Sequence, residues 1–358
     1  MNILFVTPIF PPEIGGPAQY AQKLQEVLQE LSDRVEIIFG KRAFSFGKIW
    51  TASAKSDIVY VFSSSPRILI PAFFAAKLRR KKVVLRLGGD YLWERAAEQR
   101  GVTLSLRLYY EERRKSRKEK LISAFLKWIF KRLDVMIFTT EFQKKLYQRQ
   151  YGLQSANVAV IENAYPFFGE REERLFPDFP LTILFAGRLL KLKNIETLIR
   201  GFSRLVQESP GKEVRLKIVG DGPEEKKLRK LARSLGLEKK VIFEKALPQE
   251  GLWRELQSAW LLVVPSFFEI SPNIVLEACA AGSPILVTRE VGLPSSITKN
   301  LIMFNPLDEA MLVESMRSFL DEERWKAYQK QILAIDVTRT MSIVAREHQT
   351  LFHGLLSG

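Results

Sequence analysis

Two glutamates eight positions apart, Glu269 and Glu277, flank a helix start in Phe267-Phe-Glu-Ile-Ser-Pro-Asn-Ile-Val-Leu-Glu-Ala-Cys-Ala-Ala-Gly282. Ser271 is a favourable N-cap, Pro272 suits the first turn, and Gly282 suits the C-terminal stop. The helix is therefore expected to begin between the acids, with Glu269 in the loop facing its N-terminus. Glu277 is the only charged residue of Ile274-Val-Leu-Glu-Ala-Cys-Ala-Ala281. Burying an unpaired carboxylate is costly, so a polar partner is expected for it. The helix end offers free N–H groups and partial positive charge to an anion such as phosphate. A carboxylate able to grip hydroxyls beside a phosphate-binding helix end describes a nucleotide-sugar site. In the plainer reading, Glu269 complements the helix dipole and Glu277 pairs with a nearby Lys or Arg. Either acid alone fits both readings. The pair, preceded by the apolar run Trp260-Leu-Leu-Val-Val-Pro265, favours function.

Other segments place chemistry at strand ends. In Leu184-Phe-Ala-Gly-Arg-Leu-Leu-Lys-Leu-Lys-Asn194, Arg188 and Lys193 lie just past a predicted strand, at the usual ligand edge of an α/β sheet. Two cations there would neutralise a diphosphate leaving group, and a solvated basic loop is the alternative. Pro11-Pro-Glu-Ile-Gly-Gly-Pro17 puts Gly15 and Gly16 at a strand-to-helix turn, where backbone can approach a ligand; an ordinary turn fits equally. Ile218-Val-Gly-Asp-Gly-Pro-Glu224 is a similar turn around Gly220. Val84-Leu-Arg-Leu-Gly-Gly-Asp-Tyr-Leu-Trp-Glu94 ends a strand on Asp90, with contact to a sugar or acceptor hydroxyl and capping of the next turn equally weighted. There is no Asp-x-Asp and no His/Cys cluster of metal-ligand spacing, so no metal site is expected.

These motifs, in this order, resemble the retaining glycosyltransferases of GT-B fold, particularly family 4 (group 1), whose signature is Glu-x7-Glu. The resemblance covers nearly the whole chain, strongest over 181–288 and weakest over 90–165. It implies two Rossmann-like α/β domains facing an interdomain cleft, with Gly15 and Gly16 toward the donor diphosphate. It makes Glu269, Arg188, Lys193 and Asp90 the catalytic candidates. Gly187, Gly220, Lys245, Ala246, Ser271, Asn273, Ile274 and Glu277 join the two glycines as donor contacts. Lys245 and Ala246 belong to Val241-Ile-Phe-Glu-Lys-Ala-Leu-Pro248, which resembles the strand and loop that bracket the base. Those contacts are largely backbone, so side chains do not separate uracil, guanine and adenine. Asn194 replaces a glycine of the family pattern. The family's loop histidine is absent, since the only histidines are His348 and His353.

The resemblance further implies a UDP- or GDP-sugar as donor substrate, no separate cofactor, and a saccharide or lipid-linked acceptor. Transfer would be metal-independent, serving cell-envelope polysaccharide or glycolipid synthesis. A non-catalytic nucleotide-sugar-binding GT-B protein and a GT-B nucleotide-sugar epimerase are the rivals. Scarce histidine argues against the epimerase.

Short β-branched runs alternate with amphipathic stretches, as parallel βα repeats require. Strands are expected at 2–7, 35–39, 57–62, 82–87, 134–139, 157–161, 181–186, 214–219, 241–244, 260–264 and 284–288. Helices are expected at 18–31, 195–207, 224–235 and 251–258. Proline and charge interrupt the pattern after Tyr165. This gives a first domain over 1–165, presumed acceptor side by resemblance, a donor domain over 166–337, and a last helix, 338–358, returning to the first domain.

The chain of 358 residues carries 46% hydrophobic residues, 27% charged residues and net charge +15. That composition is globular and favours an anionic partner. One cysteine, Cys279, fits a reducing compartment, and no run reaches the about 18–20 residues of a membrane span. A cytoplasmic location follows, extending to the inner face of the membrane. Basic clusters at Lys77–Lys82 and Arg107–Lys120 run into Leu121–Leu133, where Phe125, Trp128, Ile129 and Phe130 sit among lysines. An anionic lipid surface is one partner of such a segment; a core-facing helix with outward lysines is the favoured reading. Nucleic acid is not expected, since no recognition motif accompanies the charge.

Overall fold

A computed structural model describes residues 1–13, 16–101, 104–111, 115–165, 171 and 173–357. The chain divides into two compact units. The first comprises Met1–Ala96, Leu106–Ala164 and Arg339–Gly358; the second comprises Ala97–Ser105 and Tyr165–Thr338.

The first unit holds a parallel sheet of β1 (Asn2–Thr7), β2 (Arg34–Phe39), β3 (Ile58–Val61), β4 (Lys82–Leu87), β5 (Val135–Phe138) and β6 (Val158–Val160), in the order β2-β1-β3-β4-β5-β6. Its central strands are buried on both faces, which explains their continuous apolar runs. Ile3 lies beside Ile58 and Phe5 beside Tyr60 in register, so both strands feed one core.

The second unit holds β7 (Leu181–Ala186), β8 (Val214–Val219), β9 (Val241–Glu244), β10 (Leu261–Val264), β11 (Ile285–Thr288) and β12 (Ile302–Phe304), in the order β12-β11-β10-β7-β8-β9. β12 was not among the expected strands. Its three residues carry too little alternation to stand out, and only pairing with β11 makes them a strand. The segment entering this unit is pinned by arginines. Arg171 donates to the carbonyls of Cys279, Ile332 and Ile335, and Arg174 to those of Leu256, Gln257 and Ala259. Burial lowers the Arg174 guanidinium to about 10.

The last helix, Met341–Ser357, belongs to the first unit. Its His348 is fully buried, with Nε2 2.8 Å from the Tyr60 hydroxyl and Nδ1 2.7 Å from the Val344 carbonyl. Desolvation, then the Arg86 charge, push the imidazole from 6.5 down to about 3. A group neutral in the fold but protonated when unfolded contributes fully above the unfolded value and progressively less as pH falls through that window. Thermal stability should therefore drop on acidification from 6.5 toward 3, the His348 share being about 1.4 kcal/mol per pH unit. His348→Gln should flatten that dependence in melting curves; an unchanged pH slope would contradict this account.

Candidate functional site

The loops after β7, β8, β9 and β10 emerge from four neighbouring strands at the carboxyl edge of the second sheet. Chain order reverses between β7 and β10, since β8 and β9 extend to one side and β11 and β12 to the other. Such a switch point leaves a crevice outside the strand ends, where open α/β sheets bind ligands.

Glycines let these loops lie backbone on backbone. Gly220 has φ +138°, and a Cβ there would stand 2.0 Å from the Gly187 carbonyl oxygen. A Cβ on Gly222 would come within 2.3 Å of the Leu189 oxygen. Leu189 N–H donates to the Asp221 carbonyl, while Asp221 Oδ2 accepts from Ala246 N–H at 3.0 Å. Asp221 thus fixes the Lys245–Ala246 loop against the Gly220 turn. Sequence reading passed over it, because only the acid between two glycines hinted at a local acceptor.

The Lys193 and Glu269 loops meet across the switch point. Lys193 Nζ lies 2.6 Å from Glu269 Oε1, and Ser266 Oγ donates to the same oxygen at 2.5 Å. Phe267 N–H reaches the Leu192 carbonyl, so the loops are tied by backbone as well. Glu269 backbone bonds to Glu290 and Gly292 hold its other side. Glu269 is only 9% exposed, and its negative charge is matched by Lys193. The sequence expectation of a carboxylate simply facing the helix end is therefore refined: the acid is a member of an ion pair.

Asn194 explains the departure from glycine. It adopts φ +52°, a left-handed conformation that asparagine tolerates better than most residues. Its buried amide donates to the Pro265 and Pro306 carbonyls, and its oxygen accepts from Thr197. The substitution keeps the backbone shape and adds anchors for the Lys193 turn. Arg188, earlier in the same loop, is exposed.

The helix Asn273–Ala281 follows β10 and ends on Gly282 with φ +67°, as expected. Its N-cap is Pro272 rather than Ser271, and proline supplies no side-chain cap. Asn273 and Ile274 form its first turn, both half-buried. Glu277 is half-buried too, whereas Val275, Leu276 and Ala278–Ala281 are buried. Glu277 thus sits at the margin of the helix's buried face.

Asp90 is placed differently. It lies in the first unit, 1% exposed, with Oδ2 accepting from Tyr110 (2.7 Å) and Tyr147 (2.6 Å) and Oδ1 from Trp93 N–H. Glu94 in turn accepts from Asp90 N–H, closing a reciprocal cap on the helix Tyr91–Arg100. Of the two sequence readings, this geometry displays the capping one. Burial, then the Asp90 charge, holds both tyrosine hydroxyls protonated well above their ordinary range. Gly16 opens the helix Gly16–Glu30, and Gly15 lies outside the described residues. Among the described residues no group of His, Cys, Asp and Glu is arranged to hold a metal ion.

Comparison with known proteins agrees with this architecture. Residues 5–166 match the family described as Glycosyltransferase Family 4, and residues 168–333 match Glycosyl transferases group 1. The chain belongs to this glycosyltransferase family. Mannosylfructose-phosphate synthase of Agrobacterium fabrum is 27% identical over 259 residues, covering 61% of this chain and 56% of that protein. The chain thus spans about half the length of that curated relative. Among solved structures, sucrose-phosphate synthase from Thermosynechococcus elongatus superposes with TM-score 0.73 at 17% identity, covering 99% of both chains. Anabaena HepE in complex with UDP-glucose gives TM-score 0.73 at 15% identity, covering 99% of this chain and 100% of that one. At such identities the likeness shows the fold, which is GT-B: two α/β units, each with a parallel six-stranded sheet.

The backbone contact at Gly220 yields a direct test. Gly220→Ala should cost ~2–4 kcal/mol, since both the left-handed φ and the Gly187 oxygen oppose a Cβ. Gly354→Ala, in open space within the last helix, should instead stabilise by about 0.5–1 kcal/mol. Denaturant melts of both variants check the contrast.

Proposed function

We propose that the protein is a glycosyltransferase moving a sugar from a nucleotide-sugar donor, held mainly by the second unit, to a saccharide or lipid-linked acceptor. Its place is in cell-envelope polysaccharide or glycolipid synthesis, peripheral to the inner face of the membrane. The observation that carries this reading is the Lys193–Glu269 pair at the switch point. One side of the pair presents a cation to phosphate, the other an acceptor to sugar hydroxyls. Ser266 holds the carboxylate in place.

Arg188 lies on the Lys193 loop, and the helix Asn273–Ala281 points its N-terminus to the same sheet edge. Charge developing on a departing diphosphate would meet these fixed groups, which stabilise it without rearrangement. They supply the neutralisation that a metal ion provides elsewhere, so turnover is expected to be metal-independent. Glu277, at the helix margin, is suited to the donor ribose hydroxyls. The loop fixed by Asp221 offers Lys245 and Ala246 to the base. UDP-glucose bound to the structurally similar HepE favours a uridine over a guanosine donor. The departing phosphate would assist attack from the same face, giving retention of configuration.

Arg188→Ala and Lys193→Ala should each lower kcat at least about tenfold, equivalent to 1.4 kcal/mol. Chelator should leave wild-type turnover unchanged. Glu277→Gln should weaken nucleoside diphosphate binding by about 1–3 kcal/mol in calorimetry. Normal turnover in both cation variants would contradict the site.

A further inference from the structure

The helix Arg117–Phe130 turns an apolar stripe away from the core. Its N-terminus carries a reciprocal cap between Ser116 and Glu119, which fixes its phase. Leu126, Ile129 and Phe130 are buried. Leu121, Phe125 and Trp128 recur at i, i+4 and i+7 on the other side, 74%, 41% and 39% exposed. Ile129 and Phe130 therefore leave the amphipathic surface that the sequence offered, while Phe125 and Trp128 stay on it.

The exposed residues form one continuous surface with neighbouring elements of the same unit. Phe125 stacks on Trp128 at 6.0 Å and 8°, and Trp128 on Phe74 at 6.2 Å and 28°. Phe74 belongs to the helix Pro66–Leu78, whose last residue is 65% exposed. An open groove of about 500 Å³ runs between the two helices, with the Arg132 guanidinium 4.3 Å above Trp128. Beyond Leu78, Arg79 lies 4.0 Å over Trp50, which stacks on the exposed Phe46.

Among the described residues, the exposed charge around this surface is mainly positive. Lys118, Lys120, Lys127, Lys131 and Arg132 are exposed, as is Arg80 at the end of the other helix. The one acid of the Arg117–Phe130 helix, Glu119, is buried in its cap. Lys77 is paired with Asp134 and lends less to the field. Of the basic cluster preceding the helix, Arg113 and Arg114 lie outside the described residues. A solvated face would expose lysines without the rings, and a core face would bury the rings.

We propose that this face docks on an anionic lipid bilayer, with Leu121, Phe125, Trp128 and Leu78 entering the headgroup boundary and the lysines meeting lipid phosphates. Charge complementarity selects this occupant: unbalanced cations flank exposed aromatics, the arrangement that interfacial helices use. Among the described residues no helix is long and apolar enough to cross a membrane. The inference deepens the reading of a membrane-peripheral glycosyltransferase and rests on it. Nucleotide binding, measured in parallel, separates failure of one from failure of the other.

The test is co-sedimentation of the purified protein with phosphatidylcholine vesicles, with and without phosphatidylglycerol. Wild-type protein should bind the anionic vesicles at low salt at least about tenfold better than the neutral ones. It should be released at about 1 M salt, where screening shortens to ~3 Å. Leu121→Ser with Phe125→Ser, and separately Lys120→Gln with Lys127→Gln and Lys131→Gln, should each lose at least about tenfold of that binding. Both should retain the wild-type circular dichroism spectrum and UDP-induced thermal shift. Equal capture by anionic and neutral vesicles would overturn the proposal, as would variants that bind like wild type. A patch variant that converts a dimer to a monomer without changing vesicle capture would assign the face to a second copy of the chain instead.

Discussion

The ion pair between Lys193 and Glu269 is the constraint on which the site depends. It joins loops from β7 and β10, the two strands between which chain order reverses. Each member is largely shielded from water, so loss of either leaves a poorly solvated charge. The surrounding bonds make the geometry specific. Ser266 orients the carboxylate, the Phe267–Leu192 backbone bond fixes loop spacing, and Asn194 holds the turn that aims the lysine. The cation and the acceptor are thus held 2.6 Å apart, a preformed geometry that lowers the ordering cost for a ligand using both.

The rest of the edge is built mainly from backbone. Gly187, Gly220 and Gly222 allow two loops to touch with no intervening side chain, and Asp221 locks a third loop onto them. Such a site tolerates wide sequence variation, because its shape resides in φ angles and N–H directions.

The sequence was most readable where one local cause decides the structure. Short apolar, β-branched runs marked β1, β4, β7 and β8 to the residue, and Gly282 closed its helix as a left-handed cap. It was least readable where tertiary partners decide. β12 exists through its pairing with β11, and the partner of Glu269 comes from a loop seventy-six positions away. For Asp90 the sequence fits a ligand loop and a helix cap equally, because the tyrosines that engage it come from distant helices. For Arg117–Phe130 the hydrophobic period was visible, but Leu126 and Phe125 are adjacent in sequence and opposite in environment. Only packing against Phe74 shows which stripe faces outward.

Amide hydrogen exchange with and without saturating UDP or GDP, with binding verified by calorimetry, tests the central claim most directly. Exchange should slow at Gly187–Lys193, at Gly220 and Asp221, at Lys245 and Ala246, and along Asn273–Glu277. Lys193→Ala should weaken that protection at the same nucleotide concentration. Bound nucleotide that leaves all of these amides unprotected, or that protects the loop around Asp90 alone, would contradict a donor site at this sheet edge.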